Sequence, residues 1–192
     1  MAVAVFKNGP VLGEVVAYDH KDGIQLKVHL TKLPSGKHGF HIHTAGDLRG
    51  EGCKGACAHW SKGPAEHGDF GKGHTGDLGN IEPGPTGEFK KTYFLKGVTV
   101  DELWGRTIIV HEDEDDMGLG GHDDSKTTGH SGKRIACAIF GRMQGCEQKG
   151  GAQGFTGSQS RIEPGLLIGG IAVAGLAYLV FGLGPEQNKK KR

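Results

Sequence analysis

The stretch IQLKVHL, residues 24–30, decides the fold: Ile24, Leu26, Val28 and Leu30 alternate with Gln25, Lys27 and His29. Side chains of an extended chain point to opposite faces in turn, so this period of two marks a strand with one face buried and one wet. Outward from it, up to Phe140, lie further short β-type runs, AVAVFK, EVVAY, FHIHT, EFKKTYFL, TIIVH and RIACAIF, divided by Gly, Pro and Asp. Few helical stripes compete. The 192 residues allow one ordinary domain of about 150 residues plus an appendage. The 36 glycines far exceed a usual share of roughly 7%. They follow no period, which excludes a collagen-like repeat and suits an all-β domain with tight turns and long loops.

Two long irregular segments, 45–85 and 112–133, separate the strand runs, and loops of that length in a compact domain are functional or disordered. The first contains HWSKGPAEHGDFGKGHTGD, residues 59–77, which is too poor in aliphatic residues to hold its shape by burial. Its histidines make a metal ion the ordering agent to test. In GFHIHT, His41 and His43 lie two apart, so on a strand both rings share one face while Ile42 takes the other. Taken alone, such a pair is more often an exposed decoration of a strand. His59, His67, His74 and Asp77, and His111 at the end of TIIVH, change that balance. Imidazole suits copper and zinc, and a nitrogen-rich set with one carboxylate is compatible with tetrahedral zinc.

The formal net charge of +1 gives no reason to expect a nucleic-acid partner. Cys53, Cys57, Cys137 and Cys146 lack the paired short spacings of a zinc ribbon, which leaves a disulfide as the reading. The N-terminal run MAVAVFKNGP is too short for a signal-peptide core, and there is no Asn-x-Ser/Thr acceptor.

The C-terminal quarter has a different character. GGAQGFTGSQS reads as a flexible linker, a coil spanning roughly 20 Å. GLLIGGIAVAGLAYLVFGLG then runs without a charge, and as a helix it would cross a hydrocarbon core of roughly 30 Å. A buried or amphipathic surface helix is the alternative, but the run is apolar all round and follows a linker, which favours a transmembrane helix. Gly165, Gly169, Gly170 and Ala174 make small-residue steps on which another helix could pack. The closing KKKR suits an anionic membrane surface. The positive-inside tendency places this tail on the cytoplasmic, matrix or stromal side. The missing N-terminal signal favours a tail anchor with its domain in the cytosol. The expected divisions are a domain over 1–149, a linker over 150–163, a single C-terminal transmembrane helix over 164–184 and a basic tail over 185–192.

GFHIHTAGD, HTGDLGNI, IIVHEDEDDMGLGGHDDS and TGHSGKRIACAIFG resemble, in order and nearly in spacing, the motifs of the copper/zinc superoxide dismutases. The likeness covers about residues 2–141. It implies an eight-stranded Greek-key β-barrel or sandwich with two long functional loops, usually a homodimer, that dismutes superoxide to oxygen and hydrogen peroxide. It implies copper on His41, His43, His59 and His111, zinc on His59, His67, His74 and Asp77, and His59 shared as a bridging imidazolate that is protonated when the bridge to copper opens. It further implies that Asp115 hydrogen-bonds ligands of both ions, that Cys53 and Cys137 form a disulfide, and that Arg134 attracts the anionic substrate.

The sequence departs from the family's pattern in detail. The segment between His67 and His74 is about two residues shorter than in many relatives. Asp123 and Asp124 occupy acidic guidance positions, while Lys126 is offset by one and Thr127 takes the common lysine site. Cys57 and Cys146 have no general counterpart and are either thiols or a second bridge. His20, His29, His38, His122 and His130 lie outside the ligand pattern and are expected at the surface. A dismutase-like structural or metal-binding subunit of a respiratory or photosynthetic membrane complex is the alternative function, with the complete ligand set and Arg134 against it.

Overall fold

The computed structural model describes residues 1–143. The expected linker, transmembrane helix, basic tail and Cys146 lie outside the described residues. Among those described, no helix is long and apolar enough to cross a membrane.

Nine strands form two antiparallel sheets facing each other as a sandwich. The strands are β1 (Ala2–Phe6), β2 (Leu12–His20), β3 (Gly23–Lys32), β4 (His38–His43), β5 (Asp77–Ile81), β6 (Phe89–Lys96), β7 (Thr107–His111), β8 (Arg134–Ile139) and β9 (Gly141–Arg142). One sheet has the order β6-β3-β2-β1-β9 and the other β5-β4-β7-β8. The chain leaves β3 for the second sheet and returns as β6 beside β3, then leaves again and returns as β7 beside β4. Such returns past intervening strands are the connections a Greek key makes. β3 justifies its pattern: Ile24, Leu26, Val28 and Leu30 are all buried, and they meet Phe40, Ile42, Ile108 and Val110 of the second sheet in one core.

The strand expectation needs two corrections. There are nine strands, the ninth being a two-residue pairing of Gly141 and Arg142 with β1. The segment 45–85 is not wholly irregular, since it holds a 3₁₀ segment, Glu51–Ala56, and β5. β5, with the sequence DLGNI, escapes a period-two reading because its buried Asp77 occupies a place where a pattern expects an apolar residue, and Gly79 has φ of 71°. Its pairing with β4 is correspondingly irregular between Gly39 and His41. The segment 112–133 contains one helical turn, α1 (Ser125–Thr128).

Candidate metal centre

β4 builds the centre because it is buried on both faces. Phe40 and Ile42 enter the core, and His41 and His43 point the other way. β7 pairs along it, His43 opposite Thr107 and Phe40 opposite Val110, and ends on His111. The first long loop is strapped to the same strand: His59 bridges His43, and the Trp60 N–H donates to the Ile42 carbonyl at 2.8 Å. One donor atom each from His41, His43, His59 and His111 consequently lies within 4.8 Å of all the others.

In each of these rings one nitrogen is engaged and the other is bare. His43 Nδ1 lies 2.8 Å from the Cys57 carbonyl, His111 Nδ1 3.4 Å from that of Gly132, His41 Nε2 2.8 Å from Asp115 Oδ2 and His59 Nδ1 2.8 Å from Asp77 Oδ1. His41 Nδ1 and the Nε2 atoms of His43, His59 and His111 are buried with no hydrogen-bond partner. An unmet buried polar atom costs about 1–3 kcal/mol, so four converging at one place need a cation to meet them. Burial, reinforced by the neighbouring His59, pushes His43 down to about 2 and His111 to about 3, and lowers His41 as well. Burial also lowers His59, against the pull of Asp77. The four rings are therefore neutral, with lone pairs available, a donor set that fits copper.

A second quartet adjoins the first. His41, His59, His67 and Asp77 offer donor atoms within 4.8 Å of one another. His74, expected here in place of His41, stands at the rim with Nδ1 3.2 Å from Asp77 Oδ2. His41 has already given Nε2 to Asp115 and turns Nδ1 toward the first quartet, so His74 is the better fourth donor on chemical grounds. His67 Nδ1 lies 3.1 Å from Asp77 Oδ2 but out of line for a hydrogen bond, which leaves it bare too. Burial works against charge on His67, yet Asp115 and Asp77 outweigh it and raise this imidazole to about 9. Burial likewise works against the Asp77 carboxylate, but its bond with His59 and the nearby His67 ring hold it well below the usual range. Three imidazoles and a carboxylate fit zinc.

The loop in question at 59–77 is ordered around that carboxylate. Asp77 Oδ2 accepts from the Gly68 N–H at 3.1 Å and the His74 N–H at 2.8 Å, while the Gly76 N–H donates to Trp60 and Phe70 packs edge-on against Tyr93. Asp115 spans the two quartets, with Oδ2 on His41 and Oδ1 on His67, both at 2.8 Å. Gly129, at φ of 67°, lets this happen, since a Cβ there would collide with the Asp115 carboxylate and the His67 ring.

Sequence reasoning missed Asn80. Its side chain donates to the Asp115 carbonyl at 2.8 Å and accepts from the Asp115 N–H at 2.7 Å, pinning the carboxylate's backbone to β5. The signal was the polar residue in DLGNI, three positions after Asp77. His38 is a further correction. Expected at the surface, it is 4% exposed, its ring held by the carbonyls of His111 at 2.9 Å, Glu112 at 3.0 Å and Pro34 at 3.1 Å. It ties β4 to the end of β7. His20, His122 and His130 are exposed and His29 is half-buried.

Arg134 opens β8, half-buried, with Nη1 donating to the Cys53 carbonyl at 2.8 Å and Nη2 to the Cys57 carbonyl at 2.7 Å. The Cys57 carbonyl serves His43 and Arg134 together, so the guanidinium is registered directly against a ring of the first quartet. Cys53 and Cys137 form the expected disulfide, tying the 3₁₀ segment to β8. Among the described residues Cys57 is an unpaired, exposed thiol. Of the expected guidance residues, Asp123 is exposed, Asp124 Oδ1 lies 2.7 Å from His130 Nδ1, and Lys126 Nζ lies 3.1 Å from Glu66 Oε2.

An antiparallel β-sandwich carrying two adjoining buried donor sets, one of imidazoles and one with a carboxylate, defines a two-metal protein of the copper/zinc kind. The family model described as copper/zinc superoxide dismutase matches residues 11–140. The chain belongs to that family, whose members use copper and zinc and whose architecture is this sandwich. It is 43% identical over 148 residues to a superoxide dismutase [Cu-Zn] of Paramecium bursaria Chlorella virus 1, covering 73% of this chain and 77% of that protein. It is also 43% identical over 141 residues to an extracellular superoxide dismutase [Cu-Zn] of Drosophila melanogaster, covering 70% of this chain and 77% of that one. Among solved structures, the clock protein EA4 superposes with a TM-score of 0.69 at 31% identity, covering 74% of this chain and 94% of EA4.

Proposed function

We propose that this chain is a membrane-held superoxide dismutase of the copper/zinc type. The observation that carries the chemistry is the convergence of four buried, bare imidazole nitrogens beside an arginine. In this reading His41, His43, His59 and His111 hold copper, and His59, His67, His74 and Asp77 hold zinc. Copper, when bound, supplies a one-electron couple that zinc lacks. The balance is two superoxide anions and two protons giving one oxygen and one hydrogen peroxide.

The chain's own contribution is binding, orientation and proton handling. Arg134 attracts the anion and, locked by the carbonyls of Cys53 and Cys57, presents it in one place. His59 lies between the quartets with its Nε2 atom facing the first, where it can hold a proton and, its affinity lowered by burial, give it up. Asp115 and Asp77 fix ring orientation.

Holding at a membrane rests on the uncharged run 165–184 and the basic tail. The partners in this reading are superoxide, membrane lipid, and either a second copy of the chain or a subunit of a membrane complex met through the transmembrane helix. The catalytic domain lies in the cytosol or an organelle compartment. The domain divisions stay as the sequence implies, 1–149, 150–163, 164–184 and 185–192.

The test is to load full-length protein in mild detergent with zinc alone and with zinc plus copper, and to measure dismutation. Turnover that follows bound copper, at about one copper and one zinc per chain, supports the reading; a fully loaded protein without turnover points instead to a structural subunit.

A further inference from the structure

We infer that the charge guiding the anion to Arg134 is carried by Lys54 and Lys133 rather than by Lys126, an assignment that rests on the dismutase reading. A cavity of about 520 Å³ lies in front of Arg134, lined by Glu51, Gly52, Lys54, Gly132, Lys133 and Arg134. Two of its lining residues are tied to the centre: the Gly132 carbonyl faces His111 Nδ1 at 3.4 Å, and the Arg134 guanidinium shares the Cys57 carbonyl with His43. Both lysines are exposed, and among the described residues neither has a carboxylate within ion-pair distance. Glu51 is the one acidic residue of the lining. Three cations against one anion leave the mouth positive, and a concave, low-dielectric wall focuses that field on an arriving anion.

Lys126 is otherwise employed. Its ammonium is paired with Glu66, which nearly cancels its charge at a distance. Its carbonyl accepts from the His67 N–H at 2.8 Å, so the turn that carries it is tied to the loop of the second quartet. Asp123, Asp124 and Lys126 are absent from the cavity lining. The two mouth lysines stand on separate elements, Lys54 on the 3₁₀ segment and Lys133 just before β8, and the Cys53–Cys137 disulfide holds those elements together. The positive mouth is therefore built by the same tether that orients Arg134.

The experiment compares full-length, copper- and zinc-loaded wild type with the double variant Lys54→Gln/Lys133→Gln, with Lys126→Gln and with a control on the other sheet, Lys27→Gln. Dismutation kcat/KM is measured from low to high ionic strength. The double variant should lose roughly 2- to 5-fold at low salt and show a shallower salt dependence, converging on wild type once screening is complete. Lys126→Gln should lose less than half as much. A double variant with the wild-type rate and slope, or a Lys126→Gln loss equal to it, overturns the assignment. A second readout does not need turnover: inorganic phosphate titrated into the same proteins, with copper reduced to diamagnetic Cu(I), should move the amide resonances of Gly52 and Gly132 at lower concentration in wild type than in the double variant. Identical titrations overturn it. If wild type shows no dismutation at all, the dismutase reading fails, and the phosphate titration still decides whether the lysines make an anion site.

Discussion

Asp115 shows how much of the centre is decided by a residue outside both quartets. Its two oxygens fix His41 and His67 at once, and Asn80 fixes its backbone. Asp115→Ala should reduce metal affinity by roughly 10- to 100-fold, the usual effect of removing a partner that orients a ligand, measured by competition with a chelator. Asn80→Ala should weaken retention in the same direction by less. The candidate donors were legible in the sequence because histidine and aspartate keep their chemistry wherever the chain goes, while their grouping came from the family likeness. The Cys57 carbonyl was not, since every residue has a carbonyl and only the local backbone aims it. Here Cys57 has φ of 63°, a conformation a non-glycine residue rarely adopts. His38 was misread for a related reason: its partners are carbonyls far away in sequence.

The rings also set the pH dependence of the metal-free protein. Folded, His43 titrates at about 2 and His111 at about 3, far below an ordinary imidazole. In the window between those values and about 6.5 the unfolded chain binds more protons, so stability falls as pH drops from neutrality. His67 acts in the opposite sense. Raised to about 9, it contributes fully below about 6.5 and loses that contribution as pH rises through 9. Melting temperature of the metal-stripped protein should therefore peak near pH 6.5 and fall on both sides; a steady rise from pH 5 to 9 would contradict these placements.

At the scale of elements, β4 and the 3₁₀ segment do most to position the chemistry. β4 was legible from GFHIHT, and the period of two correctly placed both histidines on one face. β5 was not, because Gly79 and a buried carboxylate break the pattern, and the strand's pairing is what makes it a strand. The disulfide closes a sequence separation of 84 residues, worth about 4–5 kcal/mol in a simple loop-entropy model. Its removal should do more than lower stability. With Cys137→Ser the segment that supplies the Cys53 carbonyl to Arg134 and leads into Cys57 loses its tether, so kcat/KM should fall while bound copper and zinc stay near wild-type levels. Arg134→Glu should also slow turnover at low salt and weaken its salt dependence; an unchanged low-salt rate would count against its role.

At the scale of the whole molecule, the sandwich supplies rigidity and the long segments supply function. The all-β class followed from the period of two in residues 24–30, the other short β-type runs and the glycine content, while connectivity between sheets could come only from the family likeness or the structure. The uncharged run 165–184 predicts that the full-length protein sediments with membranes and resists alkaline carbonate extraction, whereas a chain ending at residue 149 stays in the supernatant. Recovery of the full-length chain as a soluble species without detergent would remove the anchor from the account. Protease protection of intact organelles then reports on which side the sandwich lies.

The central claim is that His59 joins two ions through one ring. Loading both quartets with Cu(II) tests it most directly, since a shared imidazolate couples two unpaired electrons. The account predicts a magnetically coupled pair in wild type, seen by electron paramagnetic resonance, and its loss on acidification as the ring takes up a proton. Two independent copper signals in the neutral wild-type protein would contradict it.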